Sequence, residues 1–192
     1  PEAMINRAVG ERLERNNSAF NEAAGGWGGE QNLSGIMICV PVEYQTTVEK
    51  KKEVKNNGSL ETEIVTEVVK TVKYLHILPD MFNARSTINP EVRRRSIYEF
   101  VFYETESIVS GKFILKDIAE YNIGGGVVKW DESRIVMGIQ SMEGISENVK
   151  VSFGGSDISM EQGLILKDIF VSGLSSKVNI DYEKDKEIEY KY

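Results

Sequence analysis

Reactive side chains, clustered cations and long apolar runs are all scarce in this 192-residue sequence. Histidine and cysteine occur once each, as His76 and Cys39. Hydrolytic triads set a base, usually histidine, beside a nucleophile, and zinc or iron centres draw on several Cys or His ligands. One residue of each kind argues against both chemistries and rules out an internal disulfide. Cys39 lies within the apolar run 36–40 and reads as a buried structural thiol. His76, between Leu75 and Ile77, reads as a strand histidine satisfied by a neighbour.

The formal net charge is -7 and the basic residues are scattered. Phosphate-backbone binding needs a cationic footprint, so nucleic acid is not an expected partner. The one basic cluster, Arg93-Arg94-Arg95, is short and is expected to pair with local glutamates at a solvated edge or turn. No stretch approaches the roughly 20 apolar residues that span a bilayer. The chain begins at Pro1 with neither an initiator methionine nor a signal peptide, so it is expected to be a segment of a longer protein. Phosphate-cradling loops sit between a strand and a helix in a fixed pattern, and the glycine clusters 124–126 and 154–155 lack it, so both read as turns. Neither a cofactor nor a metal is expected, no residue stands out as catalytic, and the chain is read as a non-enzyme. The acidic run 181–189 is expected to be a charged edge strand.

What is present is the composition of a folded domain, 41% hydrophobic and 28% charged. A chain of this length buries about 70% of its unfolded surface in one core. Ile5, Val9, Leu13, Phe20 and Ala24 recur at helical spacing, which predicts an amphipathic helix over residues 1–24. A glycine-rich hinge follows over 25–35. Beyond it the period changes to two, and residues 36–192 are expected to form a single β domain. Residues 36–44 and 62–78 read as antiparallel strands, joined by a solvated tip over 49–59 that turns at Asn57-Gly58. Residues 96–103 and 108–115 look like the next hairpin. Segments 134–139, 149–153, 163–171, 177–182 and 187–190 read as shorter strands, with Asn89-Pro90 among the punctuating turns. The fold class is mainly β: an antiparallel β-sandwich or open barrel with one N-terminal amphipathic helix.

Three blocks of residues resemble those of the CreD family of bacterial inner-membrane proteins. The first is Trp27, Gly28, Gln31, Leu33 and Gly35, with Pro41 closing the strand. The second runs through Leu78-Pro79, Pro90-Glu91, Arg93 to Arg95, Ile97-Tyr98, Tyr103, Gly111 and Phe113. The third comprises Trp130, Gly138-Ile139 and Gly144-Ile145. The blocks keep the family order and cover most of the chain. Ile36, Ser96, Ser141 and Glu143 depart from the pattern, the last two at an Asp/Arg pair, so no role of that pair carries over.

The resemblance implies a periplasmic domain of an inner-membrane protein concerned with envelope integrity or stress response, expressed downstream of a two-component system. It also implies membrane segments outside these residues at both ends. The helix over 1–24 is then expected to continue an upstream membrane anchor, and the domain to be truncated C-terminally. The partner is expected to be an unknown envelope protein or glycan. The alternative is a sandwich that binds a glycan or small ligand through an exposed aromatic such as Trp130 or Tyr121, near the 124–126 turn.

Overall fold

The computed structural model describes residues 2–25, 32–56, 59–95, 97–140, 142, 145, 149–163 and 169–192. The side chains at 23, 53–56, 59–63 and 95 are not among those described. An α-helix, α1, spans Glu2–Gly25, close to the expected bounds. Strands then follow in chain order: β1 (Leu33–Asn56), β2 (Ser59–Ile77), β3 (Met81–Arg95), β4 (Tyr98–Ile114), β5 (Val127–Val128), β6 (Arg134–Ile139), β7 (Lys150–Phe153), β8 (Ser156–Ser159), β9 (Glu161–Gln162), β10 (Gly173–Lys177) and β11 (Glu187–Lys191).

The strands build two antiparallel sheets. The first has the order β2-β1-β6-β10-β9, with β5 also on β1, and the second the order β3-β4-β11-β7-β8. This is the expected sandwich, without barrel closure. Between the sheets lies one core to which Ile36, Ile38 and Val40 of β1, Met137 of β6, Phe113 of β4 and Ile188 of β11 contribute. Phe113 is fully buried at the centre of the second sheet, its ring tilted against Phe153 at 6.1 Å and Tyr190 at 5.2 Å.

The sheets differ most from the sequence expectation in the length of two hairpins. β1 and β2 stay in register from Ile38↔Ile77 to Asn56↔Ser59. Past Val42, no described side chain of β1 is buried. From Tyr44 onward the pair leaves the sandwich as a two-stranded arm about 40 Å long. The stretch 49–59 is therefore strand as far as Asn56 rather than a solvated tip. Its lysines are held extended by partners across the ladder, where Lys51 faces Ile64 and Lys50 is ion-paired with Glu67.

The second hairpin is also redrawn. Residues 96–103 and 108–115 do not pair with each other. Residues 98–103 and 108–114 belong to one strand, β4, which pairs with β3 from Met81↔Lys112 to Arg95↔Tyr98, while Ser96 lies outside the described residues. Asn89-Pro90 does not break β3, because β3 is an edge strand and an edge tolerates a residue without an N–H. Two further expectations are corrected. The run 181–189 is not an edge: its last part forms β11, which lies between β4 and β7, while Asp181 caps a turn by pairing with Lys184 at 2.7 Å. Residues 178–182 lie outside any strand, since β10 ends at Lys177. For the strand expected over 163–171, residues 164–168 lie outside the described residues.

Candidate contact site

The register brings together one pair that sequence reasoning did not: Cys39 and His76 are direct cross-strand partners at the base of the first hairpin. A nucleophilic thiol needs a lowered pKa. Burial pushes the Cys39 thiol up to about 12, and burial also lowers the His76 imidazole, so the two form no activated pair. Among the described residues no group of three or more His, Cys, Asp or Glu side chains is placed to hold a metal ion.

The family-pattern residues divide into two sets. One set shapes the sandwich. Gly111 lies under Tyr190, where a Cβ would come within 2.6 Å of the phenol oxygen and 2.0 Å of the Met81 carbonyl. Gly138 accepts the ring of Phe170 in the same way, at 2.3 Å from a Cβ position. Gly35 sits beneath Phe82. Phe113 and Ile139 are in the core, and Ile145 packs against it. Pro41 stands where β6 stops pairing with β1, and its carbonyl accepts the Lys129 N–H at 2.8 Å. Leu33 opens β1, and Leu78-Pro79 join β2 to β3.

The other set lies on the β3–β4 arm: Pro90, Glu91, Arg93, Ile97, Tyr98 and Tyr103 stand outside the core, and Arg95 is placed by its backbone at the end of β3. Here the arginines pair locally, Arg94 with Glu99 at 2.6 Å and Arg93 with Glu91 at 3.1 Å. Trp27, Gly28, Gln31 and Gly144 lie outside the described residues, as do Ser96, Ser141 and Glu143.

Trp130 is half-buried at one end of the sandwich. Tyr182 stacks on it at 4.7 Å with 15° between the planes, and Tyr121 tilts against it at 6.5 Å. The cluster is tied to the backbone: Tyr182 donates to the Lys116 carbonyl and the Lys116 N–H donates to Tyr121, both at 2.9 Å. A ring face already taken by Tyr182 is not open to stack a sugar. Two surface depressions among the described residues, one containing Met81, Lys112 and Glu189 and the other Ile158, Asn179 and Asp185, include no tryptophan.

Exposed apolar side chains lie on α1, at Met4, Ile5, Val9 and Leu13, and on the two arms. On β3–β4 one face is covered, because Phe100 and Phe102 are buried and Phe20 of α1 meets Phe100 edge-on at 5.7 Å. The opposite face, where Val92 stands across from Val101 and Pro90 across from Tyr103, is open, with Val101 64% exposed. On β1–β2, Ile64, Val68 and Val72 lie on one face of β2 and are each half or more exposed. Among the described side chains of that strand, Glu67 pairs with Lys50 of β1 and Lys70 reaches Glu43 of β1 at 3.0 Å, which holds the Glu43 carboxyl below the usual range.

Fold and surface together define a two-layer antiparallel sandwich with a leading helix and two projecting β-hairpin arms. Compared with known proteins, the chain matches over residues 1–192 the family model described as inner membrane protein CreD, and it belongs to that family. No curated protein and no solved structure matches it. Among the described residues, no helix is long and apolar enough to cross a membrane.

Proposed function

We propose that this chain is the periplasmic part of a CreD-family inner-membrane protein, and that it supports envelope integrity or the stress response by contact rather than by catalysis. The observation that carries the reading is the pair of arms: apolar side chains that a monomer ordinarily buries are held out on hairpins tens of ångströms long, and family-pattern residues crowd one of them. The backbone ladder supplies the rigidity and the exposed faces supply the surface. A catalytic reading needs two carboxylates set across a cleft with displaced acidities. The lowered carboxyls here are Glu43 and Asp181, each on the surface and each held down first by its own lysine, Lys70 and Lys184.

Photocrosslinking in cells tests the proposal, with probes in the full-length protein at Arg94, at Val101 and, as the comparison, at Trp130. The expected result is capture of protein neighbours from the two arm positions and little from Trp130. Capture confined to Trp130, or only lipid at all three positions, overturns it.

A further inference from the structure

We infer that the free edge of β2 pairs with the β2 edge of a second copy of this chain, antiparallel about a two-fold axis, with Val68 opposite its own counterpart. The inference rests on the contact reading above and names the occupant of one arm.

β2 is the last strand of the first sheet and pairs with β1 alone. Among the described residues no other strand pairs with its outer side, which leaves a row of backbone donors and acceptors along a strand about 60 Å long. Natural edges of this kind are usually blunted by proline, by bulges or by charges aimed into the gap. Ser59–Ile77 contains neither proline nor glycine, and its ladder with β1 runs to the turn without a register shift. Among the described side chains of β2, the charges are engaged with β1, Glu67 with Lys50, Lys70 with Glu43, and Lys73 over the Tyr44 ring at 5.3 Å.

The strand is also complementary to its own reverse. A two-fold axis perpendicular to a sheet sets residues in opposed pairs that share a face, symmetrically about one central residue. Centred on Val68, the midpoint of the strand, every residue from Ser59 to Ile77 finds a partner. Ile64 then faces Val72 on both sides of the Val68 pair, so Ile64, Val68 and Val72 of each copy, all more than half exposed, join in one row. Thr66 faces Lys70, and position 63, a glutamate in sequence, faces Lys73. Other centres are worse. An axis at Glu67 or at Lys70 sets like charges against each other, and one at Val69 sets Lys70 against Val68 and Lys73 against Val65. The register of greatest overlap thus also opposes no like charges and sets the most exposed valine and isoleucine side chains in one row, although Glu67 faces Val69 in it.

Sedimentation of the 192-residue chain, with single-cysteine variants alongside, tests this pairing. Directly opposed Cα atoms in such a ladder are about 4.5–5.5 Å apart, within disulfide reach. V68C is expected to give a disulfide-linked dimer on mild oxidation. T66C, whose counterpart lies four positions along at ~13 Å, is expected not to. The native Cys39 is buried and takes no part. V68K, at an exposed position, is expected to leave the chain folded by circular dichroism and to shift it to monomer at a concentration where the parent is half dimeric. A parent chain that stays monomeric at hundreds of micromolar overturns the inference, and so does a dimer indifferent to V68K or one that links through V92C instead. If the chain is monomeric yet a probe at Val68 captures a different envelope protein in cells, self-pairing falls while the contact reading stands. If neither Val68 nor the β3–β4 arm captures any protein, both fall.

Discussion

The two arms are built alike and finished differently. Each is an antiparallel pair that leaves the sandwich and carries apolar side chains into solvent. The outer strand of one, β3, contains Pro90 and ends in three arginines, and its arm is covered on one face through the Phe20 to Phe100 contact. The outer strand of the other, β2, has no such device. Chain composition alone does not distinguish them, since both are β-rich and mixed in charge. The distinction lies in which strand is outermost and whether that strand can still accept hydrogen bonds. One arm is closed to strand addition and offers a face, while the other offers an edge.

Four experiments break or sharpen this contrast. The largest effect is expected where arm and body are compared. Phe113→Ala empties the centre of the core and is expected to lower stability by about 4 kcal/mol, whereas Val101→Ser on the open arm face is expected to cost no more than about 1 kcal/mol. Urea unfolding measures both, and similar costs would mean that the arms are part of the cooperative core. Next, Phe20→Ala removes the edge-on contact that covers the β3–β4 arm. A loss of about 1 kcal/mol is expected, seen as faster hydrogen exchange in the last turns of α1; unchanged protection would show that the ring contact does not hold the helix. Third, Pro90→Thr restores an N–H to the β3 edge, and with little change in stability it should raise self-association through that arm in sedimentation. No rise would mean that the arginines alone close the edge.

The smallest effect near neutral pH compares the bases of the two sheets. Burial raises both the Cys39 thiol and the Tyr192 phenol to about 12, from ordinary values of 9.0 and 10.0. The unfolded chain therefore releases these protons first, so the stability they contribute is complete below pH 9 and 10 respectively and is lost as pH rises toward 12. In alkaline denaturation, Cys39→Ala is expected to delay the onset at the first sheet and Tyr192→Phe at the second. If neither variant moves the onset, these groups do not govern it.

Much of the body was legible because its strands bury one face, which leaves an alternating pattern in the sequence. The antiparallel pairing of the first hairpin was legible, but its register, with Asn56 opposite Ser59 and Cys39 opposite His76, was not read from the sequence. The outer half of β1 was not legible, because a two-stranded arm has no buried face and so selects no alternation. Its lysines look like loop until the partner strand is known. Pro90 misled for a related reason: whether a proline ends a strand depends on the strand's rank in the sheet, which no local pattern encodes. The site followed the same limits. The family-pattern residues could be located, but whether each packs inward, as Gly111 does, or outward, as Tyr103 does, depends on where the sandwich stops. The β2 edge could not be found at all without the sheet order, because a central strand would read the same.

The link between the arms is three residues long. β2 re-enters the body at Ile77 and β3 leaves it at Met81. Pro79 fixes one of the intervening torsions, and Asp80 is clamped on both sides to β4, its N–H to the Lys112 carbonyl at 2.9 Å and its carboxylate to the Ile114 N–H at 2.7 Å. Such an elbow has little slack. Turning one arm against the other at this joint requires giving up both Asp80 hydrogen bonds, so the angle between the two roots is fixed by the body itself.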